Sequence, residues 1–255
     1  MRKKLPNAAA DALIMATHNG QPTPDPKTWF FVDLGTMDYQ KAWQLQGDLV
    51  GARRDGRIDA NIILTLEHPS VFTLGRRGGM EYLLVSEDCL KQSGIPIVQV
   101  ERGGFITYHG PGQLVLYPII DLEAERFKVV DLVAALEEIM IRTAADWGLA
   151  AQRNPANRGV WAGPKKLGSI GIAVRRGISF HGMALNVNLD LTPFSWIQPC
   201  GLHGVAMTSM HLELSREIPM AEVRGRVRSH VESVFGVRLS NPSRSDLHRF
   251  FGGFG

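Results

Sequence analysis

The sequence predicts an α/β domain of the α+β type, with one mixed β-sheet and flanking helices. Three observations carry that expectation. Short apolar and β-branched runs recur from residue 29 to residue 189, while stretches with a helical apolar period are few and scattered among them. No internal repeat and no Pro/Gly-rich linker divides the middle of the 255 residues. Composition is ordinary for a globular chain, at 44% hydrophobic and 21% charged, which excludes a disordered, collagen-like or coiled-coil protein. Strands outnumber helices, so a regular βαβ series is not expected.

The elements follow in order. Residues 1–28 carry Pro6, Pro22, Pro24 and Pro26 without a steady period and read as a flexible extension. The run from Trp29 to Leu34 is a strand. A helix capped by Asp38 follows, with Tyr39, Trp43, Leu49 and Val50 at roughly helical spacing. Strands are predicted at Asn61–Leu66, Val71–Leu74, Ile95–Val100 and Leu114–Ile120, with a short helical stretch at Ser86–Gly94. The helix over 129–147 places Val129, Val133, Leu136, Met140 and Trp147 on one face and stops at Gly148. Strands at Gly159–Ala162, Leu167–Val174 and Ile178–Leu189 come next, the last two joined by a hairpin turn at Arg175-Arg-Gly177. A last helix runs from Pro219 to Gly236 and buries Val223, Val227, Val231 and Val234. The domain is expected to span 29–236, followed by a partly loose tail over 237–255.

Charge and cysteine content narrow the function. A net charge of +3 without a basic tract gives no reason to expect nucleic acid. Two cysteines, Cys89 and Cys200, exclude a disulfide scaffold and fit a reducing compartment. No run approaches the ~18 apolar residues of a membrane helix, and Pro6 and Asp11 interrupt the apolar stretch that imitates a signal peptide. A cytoplasmic protein is the expectation. His68, His109, His181, His203 and His211 show no paired ligand spacing, and CxxC and HExxH are absent, so no metal site is expected.

Three glycine-dense segments hold the candidate chemistry. In Arg102-Gly-Gly-Phe-Ile-Thr-Tyr-His-Gly-Pro-Gly-Gln113 the glycines admit close approach of a ligand to backbone N–H groups, with Thr107, Tyr108 and His109 as polar contacts; a tight structural turn is the alternative. In Lys165-Lys-Leu-Gly-Ser-Ile-Gly171, Lys166 opens an apolar strand, where burial favours a neutral amine able to act as a base; a solvated surface lysine is the alternative. In Pro199-Cys-Gly-Leu-His203, Cys200 sits in a turn and is either a nucleophile or a buried structural cysteine. Cys89 has no such setting and reads as structural.

Together, RGGFITYHGPGQLVLYP, KKLGSIGIAVRRGISFHGMALNVNLDL and IQPCGLHGVAMTSM resemble the lipoate-pathway octanoyltransferases, as does Leu66-Glu-His-Pro-Ser-Val-Phe-Thr-Leu-Gly75 upstream. The resemblance covers residues 30–236. It implies a fold like the catalytic domains of biotin- and lipoate-protein ligases. It also implies a reaction in which an octanoyl group passes from acyl carrier protein to an enzyme cysteine and then to a lysine of a lipoyl domain, without a cofactor. Implied acceptors are the lipoyl domains of 2-oxoacid dehydrogenase E2 subunits and the glycine cleavage H protein. The acyl-thioester cysteine falls on Cys200 and its partner lysine on Lys166. Substrate contacts fall on Arg102, Gly103, Gly104, Phe105, Ile106, Thr107, Tyr108 and His109, on Ser169, Ile170 and Gly171, and on Gly182, Met183 and Ala184. His203 receives no role. A basic rim of Arg76, Arg77, Lys165, Arg175 and Arg176 would suit an acidic carrier protein, or is simply a solvated face. The competing readings are an ATP-dependent lipoate or biotin ligase, a noncatalytic acyl-binding protein, and a papain-like hydrolase, whose cysteine context is absent.

Overall fold

A computed structural model describes residues 27–198, 205–243, 245–246 and 250. Residues 1–26, most of the expected extension, lie outside them, as does Cys200. In chain order the elements are β1 (Thr28–Thr36), α1 (Tyr39–Arg54), β2 (Ile62–Glu67), β3 (Val71–Leu74), α2 (Glu87–Ser93), β4 (Ile97–Gln99), β5 (Ile106–His109) and β6 (Gln113–Ile119). Then come α3 (Val129–Asp146), β7 (Gln152–Arg153), β8 (Val160–Ala162), β9 (Lys165–Arg175), β10 (Ile178–Asn186), α4 (Met210–Leu214), α5 (Met220–Phe235) and β11 (Arg238–Ser240). No helix among the described residues is long and apolar enough to cross a membrane.

Eight strands form a mixed sheet in the order β11-β1-β2-β6-β10-β9-β8-β7, and β4-β3-β5 form a smaller one. The pairs β11–β1 and β1–β2 are parallel, whereas β2–β6, β6–β10 and β10–β9 are antiparallel. Strand β6 shows why the large sheet is covered on both faces. Leu114 and Leu116 pack on one side with α3 and α5, and Val115, Tyr117 and Ile119 pack on the other with α1. The small sheet has its own core of Phe72, Leu74, Ile106, Tyr108, Phe194 and Ile197.

The local signals act as their chemistry dictates. Asp38 caps α1 by accepting from the Lys41 N–H. Arg176 and Gly177 both take positive φ, the pair of conformations that a two-residue hairpin with right-handed strand twist demands. Gly148 takes φ +79 just beyond α3, and Gly236 caps α5 at φ +66.

Four expectations change. Val129 is 43% exposed, because the buried face of α3 is Leu132, Ala135, Leu136, Ile139, Met140, Thr143 and Ala144, and its first turn borders an open cavity. Cys89 is exposed on α2 and is not a core residue. The strand expected from Leu167 begins at Lys165. The boundary at residue 236 falls short, since Arg238–Ser240 extends the main sheet beside β1 and Phe250 packs its ring on Phe30 at 5.1 Å. The run Arg238–Ser240 holds one apolar residue, too little for a period to show.

Leu136→Ala should therefore lower stability by about 2–5 kcal/mol, and Val129→Ala by no more than about 0.5 kcal/mol. Urea denaturation of the two variants checks this; equal losses would show that the helix presents a different face.

Candidate active site

A cavity of about 470 Å³ opens between β9, β10, the Arg102–Thr107 segment and the first turns of α3. Of the residues singled out in the sequence, Arg102, Gly103, Gly104, Phe105, Ile106, Thr107, His109, Lys166, Ser169, Ile170, Gly171, Gly182, Met183 and Ala184 line it. Residues more than 80 positions apart thus meet because β9 pairs with β10 and also holds the glycine-rich segment through the Ile172 carbonyl. Tyr108 does not line the cavity. Its side chain turns to the small-sheet core, with ring centroids 5.4 Å from Phe72 and 5.7 Å from Phe194, and its hydroxyl lies 2.9 Å from Ser70 Oγ.

Lys166 is 2% exposed. Its Nζ donates to Asn157 Oδ1 at 2.8 Å and stands 5.7 Å from the centre of the Trp161 ring. Its backbone N–H donates to the Ala206 carbonyl at 2.8 Å, and its carbonyl accepts from the Thr208 N–H at 2.9 Å. The chain just after the Cys200 segment is therefore hydrogen-bonded to the lysine's own strand. Lys165 points the other way and pairs with Glu213 at 3.1 Å. A Cβ at Gly159 would lie 2.9 Å from Lys166 Cε and collide with the Gly168 carbonyl oxygen, so only glycine fits beside the lysine's stem.

Arg102 is held as a structural clamp. Its Nε and Nη2 donate to Thr73 Oγ1 at 3.2 and 2.7 Å, Nη2 also to the Thr73 carbonyl at 2.7 Å, and Nη1 to the Gly103 carbonyl at 3.1 Å. The Gly103 N–H donates to the Ile172 carbonyl at 3.1 Å, which fixes the glycine-rich segment against β9. A Cβ at Gly171 would come within 3.0 Å of Arg102 Cδ and of the Gly103 carbonyl oxygen, so this close approach needs glycine.

Beyond the arginine lies a buried cluster of imidazoles and phenols. Tyr39 stacks on His109 with ring centres 5.7 Å apart, and His68 lies 4.9 Å from Tyr39 and 5.9 Å from Tyr117. A carbonyl can only accept, so His68 donates from Nδ1 to the Met37 carbonyl at 2.7 Å, and its Nε2 accepts from the Tyr117 hydroxyl at 2.8 Å. His109 donates from Nδ1 to Gln113 Oε1 at 2.6 Å. Gln113 Nε2 donates to Asn186 Oδ1 at 2.9 Å, and Asn186 Nδ2 to the Thr208 carbonyl at 2.9 Å. One chain of amide bonds thus joins the cavity's histidine to the segment paired with Lys166.

Burial is the main cause of every pKa shift in this cluster. It pushes His68 down to about 4, and His181 down to about 3 with help from the Arg102 and Arg175 charges. It holds His109 well below the ordinary range, aided by His68 and Arg102. It raises Tyr39 to about 12 and Tyr117 well above the usual phenol range. The imidazoles and phenols are therefore neutral across the physiological range.

Sequence reasoning missed Tyr39, Tyr117, Asn157 and His181 as wall residues. His181 adjoins Gly182 in a recognised motif, which was a usable signal. Asn157 carried none, because only the fold brings its turn against Lys166. The basic rim is also reduced, since Arg175 is paired with Glu101 at 2.6 Å and Lys165 with Glu213, while Arg77 does line the cavity. Among the described residues no group of three or more His, Cys, Asp or Glu is arranged to hold a metal ion.

The architecture is the fold of the lipoate-protein ligases. A crystal structure of lipoate-protein ligase A bound with ATP superposes with a TM-score of 0.68 at 16% identity, covering 90% of this chain and 94% of that one. Residues 38–232 match the lipoyl protein ligase A/B catalytic domain, and the chain belongs to that family. It is 51% identical to an octanoyltransferase of Desulfotalea psychrophila over 209 residues, which is 81% of this chain and 94% of the relative. An octanoyltransferase of Syntrophobacter fumaroxidans is 44% identical over 206 residues, covering 81% and 90%. The chain is an acyltransferase by this kinship.

Two outcomes follow from the site's geometry. A Cβ at Gly182 would collide with the Leu116 carbonyl oxygen and approach Pro118 Cδ at 2.8 Å. Gly182→Leu should thus lower the melting temperature by disturbing the β6–β10 pairing, and should not simply shorten the cavity. An unchanged melt would show that the strands yield without cost. The histidines give the second outcome. His68 and His181 titrate lower when folded than the ~6.5 of an unfolded chain, so only the unfolded state gains their protons as pH falls. Stability is unaffected by them above about pH 7 and should fall below ~6.5, by roughly 1.4 kcal/mol per pH unit for each until the folded pKa is reached. Urea melts at pH 7.5, 6 and 5 measure the slope. His181→Asn, which suits the positive φ of that position, should reduce it; equal slopes would mean that His181 is protonated in the fold.

Proposed function

We propose that the enzyme moves an octanoyl group from the thioester of acyl carrier protein onto a lysine ε-amine of a lipoyl domain, with Cys200 carrying the acyl group between them. The observation that carries this reading is Lys166. It is a buried lysine on the wall of a cavity of acyl-chain size, and its strand is hydrogen-bonded to the chain that leaves the Cys200 segment. Cys200 itself lies outside the described residues. The names of the relatives, octanoyltransferases, support the acyl group.

The chemistry needs both residues. A free thiol with a pKa of ~8.5 is only a few per cent thiolate at pH 7. The neutral Lys166 amine takes the thiol proton, and the thiolate attacks the thioester carbonyl. As the tetrahedral species collapses, the bond to the pantetheine sulfur breaks, and that thiolate takes the proton back from the lysine ammonium. The acceptor lysine then attacks the Cys200 thioester in the same manner, and the thiol is regenerated. Thioester exchange is close to isoenergetic, so no ATP and no cofactor enter. Burying seven chain carbons between Ile170, Met183 and the glycine-rich wall contributes roughly 5 kcal/mol at ~0.8 per methylene. The expected donor is octanoyl-acyl carrier protein. The expected acceptors are the lipoyl domains of 2-oxoacid dehydrogenase E2 subunits and the glycine cleavage H protein, in the cytoplasm. The catalytic domain runs from residue 29 through β11, which extends the boundary at 236 that the sequence suggests. An ATP-dependent ligase on this fold is the second reading, favoured by the ATP-bound structural relative; such an enzyme has no use for a cysteine nucleophile.

Cys200→Ser should abolish octanoyl transfer, and Cys89→Ser should leave most of it. Lys166→Arg should be nearly as damaging as Lys166→Ala, with losses of ~10²–10⁴ in rate, because arginine keeps the charge but does not release a proton. Lys165→Ala, on the opposite strand face, should affect carrier-protein affinity at most. Initial rates of transfer to a lipoyl domain, with thermal melts as a folding control, decide each point. Near wild-type turnover by Lys166→Arg would eliminate the base role, and activity dependent on ATP would favour the ligase.

A further inference from the structure

The transfer just described places negative charge on the acyl carbonyl oxygen as the tetrahedral species forms, and that oxygen needs a hydrogen-bond donor beside Lys166. We propose that the side-chain amide of Asn157 is this donor, an assignment that rests on the acyl-transfer reading of the site. Once Lys166 Nζ carries the thiol proton it is an ammonium that can only donate, so the 2.8 Å bond then fixes Asn157 Oδ1 toward the lysine and Nδ2 away from it. Asn157 Nδ2 is buried and has no acceptor. Asn157 lines the same cavity as Lys166 and Ser169. A donor held out of water without an acceptor costs free energy in the resting fold, and an oxygen that accepts from it removes that cost.

The amide is also held in place. The Asn157 carbonyl accepts from Trp161 Nε1 at 3.2 Å, and its N–H donates to the Asn154 carbonyl at 3.2 Å. Two residues on, the Gly159 N–H donates to Glu137 Oε1 at 3.0 Å. Glu137 is 1% exposed and pairs with Arg153 at 3.3 Å, so the turn is anchored to α3 by a charged bond inside the protein. Donors fixed before the charge develops are the ones that lower a barrier, because nothing has to reorganise during the reaction.

Behind the wall, the amides of Gln113 and Asn186 are engaged at both ends. The ring nitrogens of His181 make no hydrogen bond, but His181 pairs across the sheet with Ile172, six residues along β9 from Lys166 and so about 20 Å away at ~3.3 Å per residue. In the reaction the thiolate forms its bond to carbon while the carbonyl π pair moves to oxygen. That oxygen accepts the Asn157 N–H. The pair then returns as the pantetheine C–S bond breaks, and Asn157 keeps its proton throughout.

The test uses the full chain with octanoyl-acyl carrier protein labelled with ¹³C at the carbonyl. Asn157→Asp keeps an acceptor for Lys166 and removes the N–H, whereas Asn157→Ala removes both. Both should slow formation of the acyl-enzyme by ~10²–10³ at every pH with little change in KM. The carbonyl band of the acyl-enzyme should move to higher frequency in both, since the hydrogen bond is lost. Retention of the rate by Asn157→Asp, or an unshifted band in Asn157→Ala, would overturn the assignment and leave Asn157 as a positioning residue for the lysine. Loss of rate that higher pH restores would do the same, by assigning the defect to Lys166. A wild-type chain that forms no acyl-enzyme would bring down the transfer reading itself, and this inference with it.

Discussion

Burying Lys166 is the constraint around which the site is organised. An amine withdrawn from water costs several kcal/mol unless the fold supplies partners. Here Asn157 Oδ1 accepts from it and the Trp161 ring faces it, while its backbone is bonded on both sides to Ala206 and Thr208. These partners have requirements of their own. Asn157 is in reach only because its turn is tied to Glu137 on α3. Gly159 has to be glycine because any side chain would strike the lysine stem and the next strand. A large part of the domain therefore serves to make one amine tolerable inside it.

The opposite end of the cavity follows another rule. Tyr39, His68, His109, Tyr117 and His181 are polar side chains kept neutral by burial. The Arg102 charge beside them is spread over Thr73 and the Gly103 carbonyl. Neutral walls suit a chain of methylenes. Gln113 and Asn186 link the two ends with amide bonds that orient without ionising.

Much of this was legible in the sequence, for reasons that can be named. Arg176-Gly177 encodes its hairpin through positive φ, and Asp38 encodes its helix start through one cap. The glycine-rich segment, the Lys166 strand and the Gly182-Met-Ala184 run carried dense local signals, and the fold brings all three to one cavity. What stayed hidden depends on contacts distant in sequence. Arg238–Ser240 is a strand only because β1 offers it a free edge. The side of β5 on which Tyr108 points was set by Phe72 and Phe194, outside its own segment. Val129 fits a helical stripe, but it borders the open cavity and not the core.

The most direct measurement of the central claim is intact-mass analysis of the chain after incubation with octanoyl-acyl carrier protein, without ATP and without an acceptor. The account predicts a single octanoyl adduct, located by peptide mapping on Cys200 and discharged when a lipoyl domain is added. An adduct on Cys89, or none until ATP is supplied, would contradict it.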